Sequence, residues 1–172
     1  MVGRDRFVVR LDASAPKPLQ LIQRSRRSDA VLKREWKPWA LQVADVDGDG
    51  RLDVAVGIVK RTRYLTQPHT CLWIFGVRDG KFTRKWLGST MGRPLIEFGF
   101  GEPEKGGAPL FTLERTLAGK VALSRYRWSG FGFRKGAKEK VWNDANGLLL
   151  QHGKIELIGD GKRERFTSEE WK

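Results

Sequence analysis

The chain has 172 residues, and its 33 lysines and arginines against 20 aspartates and glutamates give a formal net charge of +13. This length allows one well-packed domain or a set of small repeats. No apolar run approaches the roughly 18–20 residues of a membrane span, and the sole cysteine, Cys71, excludes an internal disulfide.

The N-terminal residues 1–36 predict irregular strands. Residues 6–11 and 18–23 have strand-like alternation, and a basic cluster follows them. The first residues, MVGRDRFVV, lack the apolar core of a signal peptide. Two locations therefore stay open: the cell envelope or exterior if a leader was removed, and the cytoplasm otherwise.

The most informative segment is an acidic loop, DVDGDGRLD, at residues 45–53. It places aspartates at its first, third, fifth and ninth positions, which are Asp45, Asp47, Asp49 and Asp53. Ca2+ takes six to eight oxygen ligands, and the carbonyl of the seventh residue, Arg51, adds one more. The pattern therefore predicts a calcium site; the alternative is an Asp/Gly turn without a metal.

The flanks of this loop predict strands and not helices. Residues 41–44 and 53–59 are rich in β-branched residues. A helix–loop–helix calcium site needs a bidentate Glu at the twelfth position, where this chain has Val56. We expect the loop to be the tip of a β-hairpin.

The segment WALQVADVDGDGRLDVAVGI, residues 39–58, resembles the FG-GAP/VCBS-type repeats of integrin-α-like β-propellers. The resemblance implies a calcium loop between two strands of a blade. It matches Asp45, Asp47, Asp49 and Asp53 to side-chain ligands and Arg51 to a carbonyl ligand. A literal Gly-Ala-Pro at residues 107–109 is out of the family's order, so we interpret it as partly coincidental.

A repeat of about fifty residues is marked by Trp36, Trp86 and Trp142, which are spaced 86 − 36 = 50 and 142 − 86 = 56 residues apart. The fold class predicted is all-β: a propeller-like array of three to four antiparallel four-stranded blades, incomplete or closed by oligomerisation. Residues 1–172 then form one domain, with a calcium-loop blade at 37–86, a degenerate blade at 87–142 and a partial blade at 143–172.

The basic excess predicts an anionic partner, either an unidentified protein or an acidic polymer. The candidate polyanion-binding residues are Arg24, Arg26, Arg27, Lys60, Arg61 and Arg63. Nucleic acid is a further possible partner, but no nucleic-acid-binding motif accompanies the charge.

Function is predicted to be that of a non-catalytic calcium-binding β-repeat module that contacts its partner through a basic, aromatic surface. The two histidines, His69 and His152, have no triad or metal-ligand spacing. Two alternatives stay open: a propeller enzyme with a site in its central channel, and a nucleic-acid-binding protein. An unclosed array also predicts a homo-oligomer.

Overall fold

The computed structural model describes residues 7–23, 26–29, 32–63, 65–88, 90–167 and 169–171. Within these ranges the chain forms fourteen β-strands and two 3-10 helices of three residues, so the prediction of an all-β fold is confirmed. None of the described helices has the length and apolar character to span a membrane. The strands are β1 (Val8–Leu11), β2 (Leu19–Gln23), β3 (Arg26–Asp29), β4 (Ala40–Ala44), β5 (Asp53–Lys60), β6 (His69–Arg78), β7 (Lys81–Leu87), β8 (Leu95–Phe100), β9 (Leu110–Arg115), β10 (Val121–Trp128), β11 (Phe133–Trp142), β12 (Ala145–Gln151), β13 (Lys154–Gly159) and β14 (Lys162–Thr167). The short helices are Arg34–Trp36 and Glu169–Trp171.

These strands form four antiparallel sheets in chain order. The first sheet is β1–β3, the second β4–β7, the third β8–β11 and the fourth β12–β14, and neighbours in sequence are neighbours in each sheet. The second and third sheets have four strands, and the first and fourth have three. At the N-terminus, β1 and β2 pair over four residues, and β2 pairs with β3 over four.

Three apolar clusters join consecutive sheets. Alternate residues of β5 face opposite ways: Val54, Val56 and Ile58 pack towards the first sheet, whereas Ala55 packs towards the third. In β9, Leu110 belongs to the cluster with the second sheet, and the next residue, Phe111, to the cluster with the fourth. The central sheets are thus covered on both faces, which explains why β5 and β6 are nearly continuous apolar runs, whereas the last strands of these sheets, β7 and β11, are polar and mostly exposed.

The array is propeller-like but not closed. The first strand of the third sheet, β8, contacts both β4 and β12, so the first strands of three consecutive sheets lie together, as in the blades of a propeller. Among the described residues, no apolar cluster joins the fourth sheet back to the first. The fold is therefore an incomplete propeller-like array.

Candidate metal centre

The acidic loop lies at the tip of the β4–β5 hairpin. Ala44 at the end of β4 pairs with Asp53 at the start of β5, and the chain turns between them. Two glycines of the turn, Gly48 and Gly50, have φ angles of 74° and 79°. Side-chain-bearing residues rarely adopt this left-handed conformation, so the glycines allow the tight turn that carries the aspartates.

Three aspartates converge inside this turn. Asp45, Asp47 and Asp49 each offer a carboxylate oxygen, and these three oxygens lie within 4.8 Å of one another. The Asp45 carboxylate accepts hydrogen bonds from the backbone N–H groups of Gly48 at 2.8 Å and Gly50 at 2.9 Å. Backbone donors therefore hold Asp45 at the centre of the turn.

Asp53, the fourth aspartate, is held differently. Its side chain is only 2% exposed, and its Oδ2 atom accepts a hydrogen bond of 3.1 Å from the backbone N–H of Val46. The ammonium group of Lys85, on β7, lies 2.7 Å from each Asp53 oxygen and 2.7 Å from Oδ2 of Asp47. Lys85 thus links the strand end to the loop.

The electrostatics of this pair follow from its burial. Burial raises the pKa of Asp53, and the hydrogen bond from Lys85 offsets only part of that effect. Burial also lowers the pKa of Lys85, but the hydrogen bonds to Asp47 and Asp53 outweigh it, and the net pKa of Lys85 is raised. Contacts of 2.7 Å to three carboxylate oxygens are those of an ammonium group, so Lys85 is charged here.

One carboxylate oxygen of the loop accepts no hydrogen bond. Oδ1 of Asp47 is buried and has no hydrogen-bond partner, which leaves it available to a cation. Asp49 accepts the backbone N–H of Arg51 at 2.9 Å and lies 3.4 Å from the guanidinium of Arg78. Four aspartates therefore face two cationic side chains, and the two charges left over equal that of one Ca2+. Donor type and charge both fit calcium.

The Gly-Ala-Pro segment contacts this loop from the third sheet. The backbone N–H of Ala108 donates a hydrogen bond of 2.7 Å to the carbonyl of Asp45. A Cβ atom on Gly107 would lie 2.1 Å from the carbonyl oxygen of Val46. The segment is therefore part of the loop's surroundings, although our interpretation treated it as partly coincidental. Nothing in the local sequence indicates this contact, because it joins two sheets.

The candidate polyanion-binding residues lie in two regions. Arg24 lies outside the described residues, and Arg26 and Arg27 belong to β3. The Lys60 ammonium lies 4.5 Å from the ring centroid of Trp36 and 4.8 Å from that of Trp73. Two exposed arginines follow Lys60 in the chain, namely Arg61 and Arg63.

A groove of about 330 Å³ lies beside the contact between Lys60 and Trp36. Trp36 and Lys60 line it together with Lys37, Arg61 and Pro68. Lys37 and Arg61 are exposed, so two cations flank an indole ring at the surface. Sequence reasoning identified Lys60 and Arg61 but missed Lys37 and Trp36, which join them only through the packing of the Arg34–Trp36 helix on β5.

Comparison with known proteins identifies the hairpin. Residues 38–58 match the family model of the FG-GAP repeat. This range contains β4, the acidic loop and the first six residues of β5, so the predicted FG-GAP resemblance is confirmed. No curated protein and no solved structure matches the chain.

Proposed function

Because the chain carries an FG-GAP repeat, we propose that it is a non-catalytic, calcium-binding β-repeat module. FG-GAP repeats are typically structural modules without catalytic activity. The observation that carries the proposal is the convergence of Asp45, Asp47 and Asp49 at the hairpin tip. The buried Oδ1 atom of Asp47, which has no hydrogen-bond partner, supports it. The sequence pattern adds the carbonyl of Arg51 as a ligand. It also includes Asp53, but Lys85 contacts both oxygens of that carboxylate.

Calcium has a structural role in this proposal. The loop assembles its carboxylates only when β4 and β5 are paired, so the ion binds the folded hairpin and not the unfolded chain. Ligand at about 100 times its dissociation constant then stabilises the native state by about 2.7 kcal/mol. For a chain of this size, that corresponds to a rise in melting temperature of roughly 5–10 °C.

Thermal unfolding with calcium and with chelator tests the structural role. We expect the wild type to melt at a higher temperature in calcium, and Asp49→Asn to lose most of that difference. Glu102→Gln is a matched control, because it makes the same acid-to-amide change at an exposed glutamate. Equal melting temperatures of the wild type in calcium and in chelator would show that the loop is only a turn.

The partner in this proposal is acidic, either a protein surface or a polymer. Support comes from the net charge of +13 and from the groove, where three cationic side chains, Lys37, Lys60 and Arg61, outnumber the one acid, Glu35, beside Trp36. Cations of this kind attract an anionic chain over about a Debye length. The indole ring adds apolar area and a hydrogen-bond donor to the same surface.

Titration with poly-L-glutamate at several salt concentrations tests the surface. We expect affinity to fall as salt rises, and Arg61→Ala to weaken binding more than Arg163→Ala. Arg163 is an exposed arginine of β14 and provides an equal loss of charge at the other end of the array. Equal effects of the two variants would assign the binding to net charge alone. Tighter binding of duplex DNA than of poly-L-glutamate would favour the nucleic-acid alternative.

A homo-oligomer remains a prediction from the open array. The end sheets expose single large apolar side chains, which are Val8 in the first sheet and Leu149 and Ile158 in the fourth. Light scattering separates the states, because one chain has a mass of 19.6 kDa. A mass of one chain at all concentrations would contradict self-association.

A further inference from the structure

The position of Lys85 in β7 is set by an irregularity of the strand. Ile74 of β6 pairs with Trp86, and the next residue, Phe75, pairs with Arg84, so Lys85 is the extra residue of a β-bulge. A bulge turns the side chain of its extra residue away from the regular alternation. Here the turned side chain reaches the end of β5 and the acidic loop beyond it.

Gly76 lies beside the contact between Lys85 and Asp53. It pairs directly with Asp53 across β5 and β6. A Cβ atom on Gly76 would lie 3.6 Å from Oδ1 of Asp53, 4.0 Å from Cε of Lys85 and only 2.8 Å from Oγ1 of Thr83. A side chain at this position would therefore crowd the Thr83 hydroxyl, whereas its contacts with Asp53 and Lys85 would be ordinary ones.

Asp53 needs a cation when no calcium is bound. It is almost fully buried, and a buried carboxylate without a partner is strongly destabilising. The Lys85 side chain is itself only 14% exposed, and its ammonium group contacts both Asp53 oxygens. The same ammonium also holds Oδ2 of Asp47, which leaves Oδ1 as the free oxygen of that residue. Asp53 and one oxygen of Asp47 are therefore already paired with a cation, the Lys85 ammonium.

We propose that Lys85 is a built-in cation of the acidic loop that limits its affinity for calcium. It stabilises the hairpin without the ion by holding Asp53 and one oxygen of Asp47. It also withholds these oxygens from calcium, so the ion binds mainly through Asp45, Asp49 and the other oxygen of Asp47. The inference rests on the proposed calcium-binding function and names the residue that regulates that site.

Replacement of Lys85 by methionine separates the two effects of the ammonium. Met keeps most of the stem length but carries no charge. In chelator, Lys85→Met should melt at least about 5 °C below the wild type, since it leaves Asp53 without its cation. Calorimetric titration should show calcium binding at least tenfold tighter than in the wild type. Lys81→Met, an exposed position of the same strand, is the matched control and should change neither value.

A double-mutant cycle tests whether Asp53 is the ligand that Lys85 withholds. Asp53→Asn should weaken calcium binding little in the wild type, and at least tenfold in the Lys85→Met background, where Asp53 is free to bind the ion. If Lys85→Met does not fold in chelator, Lys85→Gln keeps a hydrogen-bond donor and takes its place. Folding of Lys85→Met on addition of calcium, followed by circular dichroism, would equally support the inference.

The outcomes distinguish this inference from the proposed function. Calcium binding in the wild type, unchanged in Lys85→Met, would overturn the role of Lys85 and leave the proposed function standing. Binding that is absent in the wild type and present in Lys85→Met would overturn the proposed function and support the role of Lys85. Absence of binding in both proteins would overturn both.

Discussion

Gly107 gives the sharpest test of how the third sheet supports the acidic loop. In Gly107→Ala the new Cβ atom would lie 2.1 Å from the carbonyl oxygen of Val46 and 2.5 Å from its carbonyl carbon. Both neighbours are backbone atoms, which cannot rotate away as a flexible side chain can. The hydrogen bond of 2.7 Å from Ala108 to Asp45 fixes the same two segments against each other. The clash must therefore separate the loop from the third sheet.

The expected loss of stability has two parts. The φ angle of Gly107 is 107°, and a side-chain-bearing residue in such a sparsely populated region costs about 1–3 kcal/mol. Overpacking adds about 1–3 kcal/mol. Gly106→Ala is the matched control, since its φ is 90° but no atom lies within 4 Å of its Cβ position. Gly107→Ala should thus exceed Gly106→Ala by about 1–3 kcal/mol.

Urea unfolding, followed by tryptophan fluorescence in chelator, measures both variants without the contribution of calcium. The difference in the free energy of unfolding between the two variants then reports the contact with Val46. Equal losses in the two variants would refute the reasoning, because they would show that backbone conformation accounts for the whole effect and that the loop does not rest on Gly107.

Three further predictions concern the rest of the fold. Glu104→Ala should destabilise the protein by about 3–5 kcal/mol in urea unfolding, because it leaves the nearly buried Arg125 without its carboxylate. The control Glu102→Ala, at an exposed position, should cost under about 0.5 kcal/mol. Similar losses in the two variants would contradict this prediction. Burial raises the pKa of Cys71 to about 11, so a thiol reagent should modify it only as fast as the chain unfolds, and rapid labelling in native buffer would contradict its burial. Burial raises the pKa of Glu139, but hydrogen bonds from two cationic side chains outweigh this and lower the pKa below 4.5. The contribution of ionised Glu139 to stability is therefore present above about pH 4.5 and is lost as the pH falls further. Glu139→Gln should flatten the dependence of the free energy of unfolding on pH in this range. An unchanged pH dependence would show that Glu139 does not make this contribution.

The sequence predicts the strands of the central sheets well because their signal is local. Residues 53–59 form a β-branched run, and the strand observed is Asp53–Lys60. The acidic loop is equally local, since its spacing and glycines determine a hairpin tip without help from distant residues. Local apolar runs of this kind still predict strands when other sheets pack on both faces, because strands buried on both faces need only apolar side chains.

The partners of the loop are not local, and sequence reasoning missed them. Lys85 lies 32 residues beyond Asp53, and its direction depends on a bulge that no composition signal marks. Gly107 reaches Val46 only because the third sheet stacks on the second. The three strands at the N-terminus are short, and their first sheet is stabilised by packing on β5 and β6 more than by its own pattern.

In two neighbouring sheets, the loop between the first two strands contains acids that pair with cationic side chains from another strand of the same sheet. The two loops differ in how many of their acids are paired. In the third sheet, the loop between β8 and β9 holds two acids: Glu102, which is exposed, and Glu104, which pairs with Arg125 and Arg127 from β10. In the second sheet, the acidic loop of residues 45–53 holds four acids, of which Asp53 is also the first residue of β5, and Lys85 from β7 pairs with two of them. Glu104 is paired with arginines and the other acid of its loop, Glu102, is exposed, so this loop, which lies within the described residues, has no group of three converging carboxylates. The second loop keeps a surplus of carboxylates after its lysine is counted, and this surplus is the physical reason why calcium dependence should be confined to that hairpin.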